Sequence, residues 1–241
     1  MTDQGYAVLN GDVDSAIDGL EEIERSARSR AVRGWANAGV AFALLAASRW
    51  DEAERVAAQH PEPAPQPLLA VTLELRRGRL DPRFARALAD CTFAVAAAVA
   101  ARTIVATDRL GDVIAQVTES PPEWQASALL ALQMGLHINR DHAPAILVGE
   151  LVQERARSWD ISAYWVAVDQ AAVDDHTAAM NWLNRAADAG FFAVAELDND
   201  PRFDPIRSLS DFADVRRRML ANPVRPADTR HGGLLWTGRR R

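Results

Sequence analysis

The chain has 241 residues, 49% of them apolar and 7% aromatic, with a formal net charge of −6 at neutral pH. That length supports one elongated domain or two small ones, and the alanine-rich, aromatic-poor mix suits close helix packing better than β-sheet. The acidity argues against general nucleic-acid binding, and the single cysteine, Cys91, excludes an intrachain disulfide. A lone thiol is most simply read as a reducing compartment. The N-terminus, Met-Thr-Asp-Gln-Gly, has no basic region followed by an apolar run and so no signal-peptide pattern. The longest uncharged apolar stretches, 34–48 and 91–101, fall short of the roughly 20 residues that span a bilayer. The expectation is a soluble, cytoplasmic chain that binds neither nucleic acid nor membrane.

In chain order, Gly11 punctuates the start, and Val13, Ala16, Ile17, Leu20 and Ile23 then recur at helical spacing. Arg30 to Ala47 reads as an amphipathic helix, 48–51 as a turn, and Glu52 to His60 as a second helix. Four prolines in 61–67 break any helix there. A helix over 68–77 follows, and Asp81-Pro82 predicts the start of another running to Cys91, aspartate as cap and proline in the first turn. Thr92–Thr107 and Gly111–Thr118 form the next pair. Ser120, Pro121 and Glu123 read as a capping box opening a helix over 121–138. Residues 139–141 turn, and Pro144 opens a helix over 143–157. Helices at 161–173 and 176–189 make the last full pair, stopped by Gly190. Asp200-Pro201 and Asp204-Pro205 are two further helix starts, with a final helix around 209–220. Residues 222–241, with three glycines and two prolines, read as a flexible tail. No strand signal stands out.

Alanines at 16, 53, 85, 115, 145 and 179 fall where the second helix of successive pairs meets the first, at spacings of 37, 32, 30, 30 and 34. The stretch 161–221 adds Ala167, Leu183 and Ala186 around Ala179, then Phe191-Phe192, the two Asp-Pro pairs and Asp211-Phe212. It resembles the last repeat and the closing segment of a tetratricopeptide (TPR) array of the kind that ends many bacterial arrays. Trp50, three residues before Ala53, holds a place where TPRs favour an aromatic. The sequence departs from the pattern at Ala163, where tryptophan is usual, at Asp174, where glycine is common, and at Phe191, where proline is common. The resemblance implies an all-α, helix-turn-helix repeat solenoid of about five to six pairs over 1–221, with a break at 61–67 and a closing segment at 191–221.

The chemistry-bearing residues do not assemble into a sequence motif. His60, His137, His142, His176 and His231 show no metal-ligand spacing. His137 and His142 flank a turn; a metal pair there would need carboxylates, of which Asp141 is the only one close by in sequence, and the expectation is two solvated or capping histidines. Asp174-Asp175-His176 sits at an interhelix turn, where aspartate serves as a cap. Cys91 has no base beside it and reads as a small buried residue. No phosphate loop is present.

In a TPR-like array the first helices line the concave ligand face. Projection places Trp35 and Phe42 there, then Leu130, Met134 and His137, then Ile161, Tyr164 and Val168. Such a face suits an extended segment or a helix of a partner, and the same residues equally suit packing between helices. The lysine-dependent carboxylate clamp of some TPR proteins has no counterpart, because all 27 basic residues are arginine. The tail carries five arginines against one aspartate, with Leu234, Leu235 and Trp236 as an apolar anchor. The expectation is a non-catalytic protein-interaction module without cofactor or metal, in which self-association stays open. The alternative is a regulatory or sensory module holding a small ligand between repeats.

Overall fold

A computed structural model describes residues 12–59, 67–91, 94–156 and 159–222. Among them there is no strand; the chain is all helical, in thirteen α-helices and one 3-10 turn. In chain order they are α1 (Val13–Ser26), α2 (Arg30–Ala46), α3 (Trp50–Gln59), α4 (Pro67–Arg76), α5 (Phe84–Ala89), α6 (Ala94–Ala106) and α7 (Leu110–Glu119). Then come α8 (Pro122–Asn139), α9 (His142–Arg155), α10 (Asp160–Ala172), α11 (His176–Ala189), α12 (Val194–Asn199), the 3-10 turn Pro201–Phe203 and α13 (Ser210–Ala221). The chain divides into two compact units within α8, between Ala131 and Leu132. The expected break at 61–67 falls almost wholly outside the described residues, as do the tail 223–241, His60 and His231.

One turn recurs five times at the repeat spacing, and Gly190 makes the same hydrogen-bond pairing at the end of α11. Ser48, Gly78, Asp108, Arg140 and Asp174 each adopt a left-handed backbone, with φ between 54° and 80°. At each, the N–H of that residue donates to the carbonyl three residues back, and the next N–H to the carbonyl five back. This Schellman pairing closes the carbonyls that a helix end leaves open. It recurs every 30 to 34 residues, ending α2, α4, α6, α8 and α10. Four of the five turns start the next helix two residues later. Phe84 starts α5 late because Leu80, Asp81 and Pro82 intervene.

The repeat also fixes the helix-contact residue. Five positions after the left-handed residue stand Ala53, Val113, Ala145 and Ala179, all fully buried. Ala115, expected in this role, is exposed, and Val113 and Val117 carry the packing of α7. The spacing of alanines misplaces this residue by two because α7 packs through valine.

In the first unit α2 lies against α1, α3, α4 and α6, α4 also packs on α5 and α6, and α7 on α5 and α6. Ala96, Ala97, Ala100 and Ala101 are buried on α6. Side chains this small let neighbouring backbones approach closely, so little aromatic mass is needed. In the second unit α10 packs against α9, α11 and the 3-10 turn, and α13 closes over α11 and α12. Tyr164 stacks on Phe191 at 4.3 Å, and Phe203 lies tilted against both Tyr164 and Phe212. Gly190 ends α11 at φ 100°, a conformation that glycine adopts without steric cost.

Several local starts differ from their sequence signals. Asp81 accepts from the Arg83 N–H at 2.7 Å, which makes Pro82-Arg83 a turn outside α5. Ser120 donates its hydroxyl to the Val117 carbonyl at 2.7 Å, finishing α7, so the capping box does not form. Asp200 does cap Pro201–Phe203, accepting from the Arg202 N–H at 3.0 Å. Asp204-Pro205 opens only turns, and α12 is an extra helix that the sequence pattern did not announce. No helix among the described residues is long and apolar enough to cross a membrane.

Candidate functional site

The second unit holds one polar cluster inside an apolar setting. Its centre is Asp169, on α10, with no solvent exposure. An ionised carboxylate there is costly unless donors meet it. Two imidazoles do. The Nδ1 of His137, in the last turn of α8, lies 3.0 Å from both carboxylate oxygens, and the Nδ1 of His142, which opens α9, lies 2.7 Å from Oδ1. The left-handed Arg140 reverses the chain between them and brings both rings to one carboxylate.

Both rings turn Nδ1 to the carboxyl group, and an ionised carboxylate only accepts hydrogen bonds, so an Nδ1 that meets one donates and Nε2 is the ring nitrogen turned away from it. Neither Nε2 is hydrogen-bonded within the described residues or sealed from solvent. The side chains of His137 and His142 are 16% and 22% exposed. His137 stacks on Trp165, with ring centroids 5.7 Å apart and planes 20° apart. Ile161, Trp165 and Asp169 are four residues apart along α10 and therefore share one stripe. Ile161 and Trp165 are half-buried.

A charged pair lies close by. Arg202 holds Asp200 with two side-chain bonds, of 2.8 and 2.6 Å. Burial opposes ionisation of Asp200, but the Arg202 guanidinium outweighs it and keeps the carboxyl below its ordinary value. Burial, reinforced by Asp200 and Glu196, pushes the Tyr164 phenol far above its ordinary value.

Of the residues projected onto a ligand face, Phe42, Leu130, Met134, Tyr164 and Val168 are buried, Trp35 is exposed, and His137 and Ile161 are half-buried. The structure joins His137 to Trp165, Asp169 and His142, where the sequence reading has the two histidines solvated or capping. Trp165 stands one step around α10 from the projected Tyr164. Asp169 carries a signal in the sequence: it is the one charged residue in 161–172, a stretch that is otherwise apolar apart from Ser162 and Gln170. At the last interhelix turn, Asp175 caps α11 by accepting from the Ala178 N–H at 2.9 Å. Cys91 is buried. Among the described residues no three His, Cys, Asp or Glu side chains are placed to hold a metal ion. Comparison with known protein families, curated proteins and solved structures returns no match.

Proposed function

We propose that this chain is a non-catalytic, TPR-like helical-repeat module that holds a segment of a partner protein against the rim formed by Ile161, Trp165, His137 and His142. The observation that carries this reading is the pair of imidazoles that meet one buried carboxylate through Nδ1, each with its Nε2 left open. A surface whose polar groups are already oriented loses little freedom on binding. Trp165 and Ile161 supply apolar contact beside it, and aromatic anchors of this kind dominate interface energetics. The partner segment meets the open ring nitrogens with polar groups of its own.

The same surroundings favour binding over catalysis. Two hydroxyls of α10 offer no nucleophile: Ser162 is buried and donates to Gln133 at 2.7 Å, and the Tyr164 phenol is held protonated. The test is affinity capture from native lysate with wild type, Trp165→Ala and His137→Gln, each checked for helicity. The reading requires a protein held by wild type and lost from both folded variants. Identical recovery on all three would refute it.

A further inference from the structure

The five recurring turns set a register in which one position departs from the rest. Seven residues before each left-handed residue lies a buried residue of the helix that the turn ends: Ala41, Val71, Ala101, Gln133 and Ala167. All are apolar except Gln133, which puts an amide on α8 with no solvent exposure. Burying an amide is unfavourable unless it is hydrogen-bonded, and Gln133 is met twice by one residue of α10. Its Nε2 donates to the Ser162 carbonyl at 3.1 Å, and its Oε1 accepts from the Ser162 hydroxyl at 2.7 Å. Ser162 is equally buried. Gly149 on α9 leaves the room for this amide, since a Cβ there would stand 2.5 Å from the Gln133 Nε2.

The same two helices carry the rim. His137 lies four residues after Gln133 on α8, and Trp165 and Asp169 lie three and seven residues after Ser162 on α10, so each set shares one helical stripe. Two polar rungs therefore join α8 to α10, Gln133–Ser162 and His137–Asp169, and His137 also stacks on Trp165. The rungs differ in what they hold. Asp169 meets His137 side chain to side chain, and rotation of either can follow a shift of the helix. Gln133 grips the main chain of α10 at the Ser162 carbonyl, so its bond fixes the helix itself. Apolar residues of similar volume would fill this space at comparable stability, because the hydrogen bonds made inside replace bonds to water. What the amide adds is a single seat, since a hydrogen bond holds its length within about half an ångström.

We infer that Gln133 is the positioning residue of the rim: it seats α10 on α8 at the place where Trp165 stacks on His137. Gln133 serves binding only if the rim proposed above takes a partner, but the stack that it sets is measurable without one.

Full-length protein is followed by urea unfolding and by NMR, through the cross-relaxation between the His137 and Trp165 rings. Ser162→Ala leaves the Gln133 Oε1 unmet but keeps the bond to the main chain. Its urea midpoint should fall while the stack signals stay as in wild type. The double variant Gln133→Met, Ser162→Ala removes both side-chain partners. Its midpoint should return toward wild type while the cross-relaxation is largely lost. Gln133→Leu, in which the Ser162 hydroxyl can turn to its own helix, should lose the stack as well. Thr72→Val, which removes a buried hydroxyl bonded within α4, should leave the stack unchanged. An intact stack in either folded Gln133 variant, or a stack lost in Ser162→Ala or Thr72→Val, overturns the assignment. None of these outcomes depends on a partner, so the seat and the binding role fail separately.

Discussion

The Nδ1 of His142 stands 2.7 Å from Oδ1 of Asp169, a carboxylate with no exposure to solvent. His137 approaches the same group from another helix, so a single buried carboxyl group organises two rings that are partly open to water. Asp169→Ala leaves two imidazole N–H groups facing an apolar gap. The expected loss is about 2–4 kcal/mol, read from urea unfolding, and Asp169→Asn, which keeps one acceptor, should lose less. Nitrogen-15 shifts of the imidazoles should report protonated Nδ1 in both rings of the wild type and a mixture of tautomers in the alanine variant.

Gly149 on α9 marks a close approach to α10 and to Gln133 of α8. A Cβ added there would stand 2.3 Å from the Val166 Cγ2 and 2.5 Å from the Gln133 Nε2. Gln133 is itself fixed, donating to the Ser162 carbonyl at 3.1 Å and accepting from the Ser162 hydroxyl at 2.7 Å. Alanine must displace one of them, although it is the better helix former. Gly149→Ala should therefore destabilise the protein by about 1–3 kcal/mol, seen as a lower urea midpoint. A neutral or stabilising effect would mean that α9 and α10 are not this close.

The recurring turn makes a reciprocal test. Gly78 has φ 80° with open space around it, so Gly78→Ala carries only the backbone cost, about 1 kcal/mol. Arg140, at φ 63°, bears that strain already. Arg140→Gly should relieve it and raise stability by roughly 0.5 kcal/mol after the added freedom of the unfolded chain is counted. Thermal unfolding of the two variants should move in opposite directions.

Tyr164 sets a limit at high pH. Burial, then Asp200 and Glu196, hold its phenol protonated in the folded state, while the unfolded chain ionises near pH 10. The folded state thus keeps a proton that the unfolded state releases. The stability linked to this group is complete below about pH 10 and falls as pH rises further. Urea midpoints should drop between pH 8 and about pH 10.5, and the drop should shrink in Tyr164→Phe. Phenolate absorbance should show Tyr164 ionising only on unfolding.

Much of the hairpin order was legible because it rests on short-range chemistry. Gly190 and the Asp175 cap act within one turn of chain, and the helices around them start and stop within a residue or so of their signals. Ser120 shows the limit: its hydroxyl had two carbonyl or N–H partners within reach, and the preceding helix won. Ala115 shows another, since residue type alone could not tell a packing alanine from a solvated one two places on. The cluster at Asp169 was less legible still. His137 and His142 lie 32 and 27 residues away from it, and only the packing of α10 brings the three together. Tyr164 and Trp165 stand one step apart around α10, about 100° on a helix, and that step separates a buried position from a half-buried one.

The rim itself is tested most directly by photo-crosslinking in the native host. A benzophenone amino acid is placed at position 161 or 165, with position 220, which is 58% exposed on α13, as the control. A discrete adduct with one protein from positions 161 and 165, absent from position 220, is the expected result. No adduct from the rim, or the same adducts from all three positions, would contradict a partner-binding role for the Trp165–His137 surface.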